Sequence, residues 1–502
     1  MVRKALLLIL VVAAGCAARE EPLPTGPPDV VLITIDALRA DVLSYAGHPR
    51  PTSPHLDALA AESAVFTQAL TSFPGTAPAM PSLMSGLFPS FEGVEAWTKT
   101  TRHGFNDLES EDERDRPGLS DSITMLAEIL HAAGYTTLGF NTNPNLSRGT
   151  KFHQGFDEYE EFIPYLEEVR NDRPHPLVGA YPPADVVVDT VLQRLDRGLD
   201  RPAFVWLHLM DPHSPYLPPE PWDGLFRRGA TGLSDLEVNE SVYHLLYTQQ
   251  GSLRAAERYP SPEARGVARE AFLEHLKSLY EAEVRFCDEQ LGRLFEALRA
   301  QTLWDGAVVL VTADHGEEFL EHGHVAHHEL TGLAEELIRI PALLKLPVQG
   351  TDPKAVGELV RMVDFAPTIL DYAGLPDEAS GMDGLSLRPL IEGRELPPLS
   401  AYYSTIRYGV VRDARWKYRL VKRPEGGGAM PEMLFDIEAD PLELHDLAGR
   451  HPELVAAMRD RYREFVRALT SRVASAQHGE AGEALLDRNE RERLEALGYV
   501  LE

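Results

Sequence analysis

The chain has 502 residues, 44% hydrophobic and 25% charged, which are globular proportions and exclude a disordered chain. Its formal net charge of -30 argues against a nucleic-acid partner, because phosphate backbones are gripped by clustered Lys and Arg. An anionic substrate is still admitted if a metal and a few basic groups make the site locally positive.

At the start, Met1-Val2-Arg3-Lys4 precedes the apolar run Ala5 to Ala14 and then Gly15-Cys16. A positive start, a short apolar run and small residues predict an export signal too short to span a bilayer. Val12-Ala13-Ala14-Gly15-Cys16 resembles a bacterial lipoprotein signal over residues 1–16. That resemblance implies a lipidated Cys16, a membrane anchor and a place in the cell envelope; an ordinary cleaved secretory peptide is the alternative. Cys287 is then the one other cysteine, so no disulfide framework forms. Its neighbours read as an amphipathic helix, which puts Cys287 in the core. Residues 17–28 are a Pro-rich tether.

From Asp29, a run of β-branched and aliphatic residues, Val30 to Ile35, stops at Asp36, as in a central parallel strand covered on both faces. Ligands collect at the carboxyl ends of such strands, where Asp36 stands; capping the next helix is its alternative role. Thr52-Ser53-Pro54 opens a capped helix, and Ala64-Val65-Phe66 suits a short strand. From Thr71 to Pro89, small and turn-forming residues lead into a short helix. A hydroxyl nucleophile fits there, because helix N-terminal amides favour an oxyanion. Gly134 to Phe140 is a strand ending in the polar loop Asn141 to Ser147, and Phe204 to Leu207 is a strand leading to His208. Ala307 to Ala313 repeats the grammar of the first strand and delivers Asp314-His315-Gly316. Two such tips bring Asp36, Asp314 and His315 around one divalent metal.

Glu321 to His328 holds the densest histidine cluster, of which at least two read as a solvated polar loop. Residues 97–120 read as a charged surface insertion and residues 220–270 as a mostly helical variable region. Past Leu375, Tyr402 to Ile406, Tyr408 to Val411 and Trp416 to Val421 read as a small antiparallel sheet, with a hairpin tip at 426–428. A helix from Pro452 to Ala474 carries Leu454, Met458, Tyr462, Phe465 and Leu469 at helical spacing, a docked core face.

Several segments, in order, resemble the sulfatase family within the alkaline phosphatase superfamily. They are Ile33 to Asp36 with Arg39 and Asp41, Thr52 to Ala58, Leu83 to Pro89, His208 to Tyr216 and Val311 to Gly316. Glu335 to Pro341, Asp364 to Leu370, and Leu434-Phe435-Asp436 with Asp440-Pro441 and Asp446-Leu447 continue the likeness. It implies an α/β fold: a three-layer, alkaline-phosphatase-like sandwich with a mixed central sheet over residues 29–395. A smaller C-terminal α+β subdomain with an antiparallel sheet follows at 396–502. The implied activity is hydrolysis or transfer of phosphate, phosphonate or sulfate esters with one divalent metal (Ca, Mn, Zn or Mg). Asp36, Thr76, Asp314 and His315 would hold it; a second ion on Asp211, His213 and His327 is the alternative. His213 corresponds to the residue that protonates the leaving oxygen, and Asn143, His327 and His328 fall where the family touches its substrate; alternation with the apolar residues of Phe204 to Leu207 points His208 off the same strand into the site as a further substrate contact.

One departure bears on the chemistry. The family pattern Cys/Ser-x-Pro-x-Arg here reads Thr76, Pro78 and Met80, and threonine is not a formylglycine precursor. A lone alkoxide attacking sulfate leaves a covalent sulfo-enzyme with no second hydroxyl to expel it, whereas a phosphoryl intermediate is open to water. Asn143 also offers hydrogen bonds without charge. Phosphate or phosphonate esters are therefore the expected substrates. A sulfuric ester hydrolase without formylglycine, and an envelope binding protein that kept the fold, are the alternatives. The oligomeric state does not follow from the sequence.

Overall fold

The structure, a computed structural model of the chain, describes residues 26–89, 119, 123–162, 175, 177–228, 231–249, 253–301, 303–327, 332–347, 354–405, 407–422 and 430–478. The expected signal with Cys16, nearly all of the charged insertion, His328 and the 426–428 hairpin tip lie outside these residues.

In the larger part the strands are β1 (Asp29–Ile35), β2 (Ala64–Leu70), β3 (Thr136–Asn141), β4 (Glu158–Glu160), β5 (Ala203–Leu209) and β6 (Ala307–Ala313). After them come β7 (Glu318–Phe319), β8 (Val325–Ala326), β9 (Arg339–Ile340), β10 (Ala342–Lys345) and β11 (Lys354–Arg361). One 9-stranded sheet runs β11-β2-β10-β6-β1-β5-β3-β4, with β9 on β2, while β7 and β8 pair with each other. β1 is parallel to both neighbours, and β10 runs antiparallel to β6 and β2, which makes the sheet mixed. Every residue of β1, β5 and β6 is buried, the reason their sequences are predominantly apolar rather than alternating. The same core takes in Val187 and Val191 of the helix Ala184–Leu195 and Phe286 and Cys287 of the helix Arg269–Ala300.

The helix Pro54–Ala60 is capped differently from the expectation. Ser53 Oγ bonds Asp57 and Ser44, and the free backbone amides of His55 and Leu56 are taken by Asp288 of the long helix at 3.0 and 2.9 Å. A cap supplied across the core leaves no local signal.

The C-terminal sheet is an antiparallel meander of β12 (Ala401–Ser404), β13 (Tyr408–Arg412), β14 (Trp416–Val421) and β15 (Glu432–Asp436). Met458 and Tyr462 of the helix Pro452–His478 pack on Val411, Tyr418 and Leu434, and Phe465 stacks on Tyr402 at 4.7 Å. A buried ionic network joins this sheet to the larger part. Lys417, fully buried, donates to Leu333 O and Glu443 Oε1, both at 2.5 Å, and Arg412 pairs with Glu335 at 3.0 Å. Removing one partner of a buried pair leaves the other charge uncompensated, at about 3–5 kcal/mol. Lys417→Met is therefore expected to lower the urea midpoint by an amount equivalent to about 3 kcal/mol. An unchanged midpoint would show that the network contributes nothing.

Candidate metal and active site

Ile35 of β1 pairs with Ala313 of β6, so the next residues, Asp36 and Asp314, emerge side by side at the carboxyl edge of the sheet. The backbone turns sharply at Ala37 (φ 55°), whose N–H donates to Asp314 Oδ1 at 3.1 Å; the N–H of His315 donates to the same oxygen at 2.8 Å. That satisfies Oδ1 and leaves Oδ2 with no partner. His315 Nδ1 lies 2.8 Å from Gly316 O, which only accepts, so Nδ1 carries the proton and Nε2 presents a lone pair. Nε2 stands 3.5 Å from Asp36 Oδ1 and 3.4 Å from Asp314 Oδ2. All three atoms are buried without a hydrogen-bond partner, on side chains that are 0% exposed.

An imidazole lone pair set against two carboxylate oxygens, away from water, is repelled by both unless a cation lies among them. Two carboxylates and a neutral imidazole are the donor set of a divalent ion, without selecting one. Asp36, Asp314 and His208 also offer atoms within 4.8 Å of one another. His208, however, spends Nε2 on Asp36 Oδ2 at 3.3 Å and Nδ1 on Thr34 Oγ1 at 2.9 Å. His315, whose Nε2 is unengaged, is the better third ligand. The electrostatics agree. Burial pushes the Asp314 carboxyl up to about 7, with the Asp36 charge adding to it. Burial also raises Asp36, but the imidazoles of His213, His208 and His315 together outweigh it and hold that carboxyl far below the usual range.

The helix Thr76–Ser85 starts beside this cluster. Thr76, its first residue, directs Oγ1 to Asp36 Oδ2 at 3.3 Å, and Asn143 Nδ2 donates to the same Asp36 oxygen at 2.8 Å and to Thr76 Oγ1 at 3.3 Å. Asn143 Oδ1 accepts from Asn145 N at 2.9 Å, so the turn chemistry of Asn-Pro-Asn and the contact with the cluster use different ends of one amide. Met80 is fully buried in the core. Thr71, just upstream, donates to Asp314 O at 2.5 Å and its carbonyl accepts from Tyr403 OH at 2.9 Å, so the C-terminal sheet braces the segment leading to Thr76.

The histidines divide. His208 is sealed at 0% exposure behind Asp36, a backing position rather than the substrate contact expected of it. The ring of His213 stands 5.1 Å from that of His327, which stands 4.0 Å from the ring of His315. His213 Nδ1 donates to Ser214 O at 2.6 Å, which turns Nε2 outward. His327 Nδ1 donates to Glu317 Oε1 at 2.9 Å, and Glu317 Oε2 accepts from Tyr216 OH at 2.8 Å. Burial, then His213, holds His327 down at about 3, and burial raises Glu317 to about 7. His322 lies instead against Glu336 at 3.3 Å. Asp211 turns away to accept from Ala184 N at 2.6 Å, so the alternative second-ion set of Asp211, His213 and His327 is not assembled. Sequence reasoning assigned nothing to Glu317; its one signal is a carboxylate directly after Asp314-His315-Gly316.

Residues 28–375 match the family model described as sulfatase, and residues 321–468 match that of the C-terminal region of N-sulphoglucosamine sulphohydrolase. The ulvan-active sulfatase of Formosa agariphila is 26% identical over 456 residues, covering 84% of this chain and 77% of that protein. The choline-sulfatase of Rhizobium meliloti is 26% identical over 469 residues, covering 84% and 83%. Among solved structures, the phosphonate monoester hydrolase of Agrobacterium radiobacter superposes with a TM-score of 0.64 at 21% identity, over 92% of this chain and 99% of that one. Its likeness is one of fold, the alkaline-phosphatase-like sandwich with its antiparallel C-terminal sheet. Because the sulfatase match covers residues 28–375, more than half of the chain, and takes in Asp36, Thr76, Asn143 and Asp314, the chain belongs to the sulfatase family and is a sulfuric or phosphoric ester hydrolase.

Proposed function

We propose that this enzyme cleaves phosphonate or phosphate esters through Thr76, assisted by one divalent ion on Asp36, Asp314 and His315. The observation that carries the reading is the contact of Thr76 Oγ1 with Asp36, beside three unpartnered ligand atoms. When bound, such an ion lowers the pKa of a neighbouring hydroxyl and draws charge from the oxygens of the transferring group. Asn143 holds Thr76 Oγ1 in place beside Asp36. Thr76 passes its hydroxyl proton to Asp36 Oδ2, 3.3 Å away, and its Oγ forms the new bond to phosphorus while the bond to the ester oxygen breaks and His213 gives that oxygen a proton from Nε2. Water then attacks the phosphorus, its proton returning to His213 Nε2, and Thr76 leaves with the proton held on Asp36, releasing the acid. His327, held by Glu317, faces the same space from the opposite loop.

The substrate class is supported by threonine at this position and by the solved phosphonate monoester hydrolase that shares the fold. The curated relatives favour a second reading, a sulfuric ester hydrolase without formylglycine. Paired aryl phosphonate, phosphodiester and sulfate substrates, with the mass of the Thr76 peptide, separate the two. Phosphonate or phosphodiester turnover is expected to lead, with an unmodified Thr76. Faster sulfate turnover would reverse the assignment.

His213→Gln is expected to slow esters with poor leaving groups by about 10²–10³-fold in kcat while sparing activated nitrophenyl esters. Equal losses on both would remove His213 as the acid. We likewise propose that the chain is exported and lipidated at Cys16, with Cys16→Ser expected to move the protein out of the membrane fraction. No described helix is long and apolar enough to cross a membrane.

A further inference from the structure

The loop after β5 carries His213 between Asp211 and Leu217, and it rests on the middle of the helix Arg269–Ala300. We propose that Glu283 of that helix is a positioning residue for His213, fastening both ends of the loop through one carboxyl group and a proton shared with Asp211. The inference rests on the reading of His213 as proton donor.

Glu283 and Asp211 are 2% and 3% exposed. The Glu283 carboxyl lies against the Asp211 side chain at one end of the loop and against the backbone N–H of Leu217 at the other. Asp211 also accepts Ala184 N, the first amide of the helix Ala184–Leu195, so the near end of the loop is tied to two helices. Glu283 Oε2 has no N–H or hydroxyl donor within reach, as expected of a carboxylic acid that spends its own proton on its neighbour. Two carboxyl groups in hydrogen-bond contact away from water do not both ionise; the pair titrates as a unit and retains a proton. Burial first, and the Asp211 charge second, push Glu283 well above the ordinary carboxylate range, while burial raises Asp211 to about 6.

The groups facing the pair leave the charge uncompensated. The helix that starts at Ala184 contributes Asp185, the segment before it Tyr181, and the long helix Cys287 with Asp288 beyond. His213, on the loop itself, spends Nδ1 on Ser214 O. Each facing group from the helices is acidic or neutral, so loss of the shared proton sets two like charges in contact. The loop then gives way, and His213 Nε2 goes with it. Carboxyls raised in the folded state contribute stability that is complete in acid and is lost as pH rises through their folded values.

The test is Glu283→Gln, whose amide donates to Asp211 and accepts from Leu217 at every pH; Asp211→Asn is the mirror variant should the first not fold. The alkaline fall of kcat/KM is expected to move up by about one pH unit in either variant, with neutral activity within about threefold of the parent. The melting temperature of the parent is expected to decline between pH 5 and 8 (roughly the span of the raised carboxyls), and this decline to flatten in the variants. Glu283→Ala, which frees both loop ends, is expected to lose about tenfold or more in kcat on poor leaving groups. An unaltered alkaline limb together with an unaltered melting slope in the amide variants would overturn the proposal. If the slope flattens while His213→Gln shows no leaving-group dependence, the fastening stands and the assignment of His213 falls.

Discussion

Thr76→Ala is expected to lower kcat by about 10⁴-fold or more on every ester the enzyme accepts, since loss of a nucleophile removes a path that nearby groups do not replace. The local geometry shows why no substitute steps in. Thr71 Oγ1 is committed to Asp314 O, and Ser72 lines a cavity with Phe73, Tyr402 and Phe465. Asn143 would keep its bond to Asp36, so the variant is expected to fold with an unchanged melting temperature. The unpartnered ligand atoms belong to Asp36, Asp314 and His315, so metal binding should weaken yet persist. Thr76→Ser, which keeps the oxygen but loses the methyl that restricts its rotamer, is expected to retain a measurable fraction of the parent rate. Steady-state kinetics with metal analysis of the same samples decide the matter. Activity within tenfold of the parent in the alanine variant would exclude Thr76 as nucleophile (the margin is about 1.4 kcal/mol).

The parts of the site that were legible are those in which one residue type has few uses. An aliphatic run that ends in Asp, met twice, places two carboxylates at one sheet edge, and the paired register Ile35–Ala313 is how the fold realises it. For His208, alternation along a strand gives a direction but not what fills it. Its ring is taken by Thr34 and Asp36, and Thr34 comes opposite only through the β1–β5 register. Glu335 to Pro341 folds as a short helix, Glu335–Ile338, before the two residues of β9. The reason is tertiary: Leu337 O and Glu336 O accept the N–H groups of Gly316 and Glu317, and a Cβ on Gly316 would lie 1.8 Å from Glu336 O. The glycine after Asp314-His315 is thus fixed by a close backbone approach rather than by a turn. Lys345, which ends the antiparallel β10, would have argued against a buried strand; its ammonium is satisfied by Trp304 O and Leu346 O.

Asp314→Asn is expected to lose both the metal and the activity, and to do so with a signature that separates ligand loss from unfolding. The amide keeps an oxygen for the N–H groups of Ala37 and His315, so the turn at Ala37 survives. In place of Oδ2 it presents an NH₂ to His315 Nε2 at the 3.4 Å contact, and thereby to the neighbouring Asp36 Oδ1. A site that in the parent gathers unpartnered acceptors becomes hydrogen-bonded to itself. Without metal, the variant is therefore expected to melt above the parent, because an uncompensated buried carboxylate has been replaced by a donor. With metal the order reverses. An ion present at 1,000 times its Kd stabilises the folded parent by about 4 kcal/mol, and the variant gains nothing. Activity should fall by about 10³-fold or more, alongside a bound-metal content near zero. A crossing pair of melting curves, measured in chelator and then in each of Mg, Ca, Mn and Zn, identifies the ion as well. Equal response of both proteins to every ion would place the metal, if any, elsewhere than between Asp36 and Asp314.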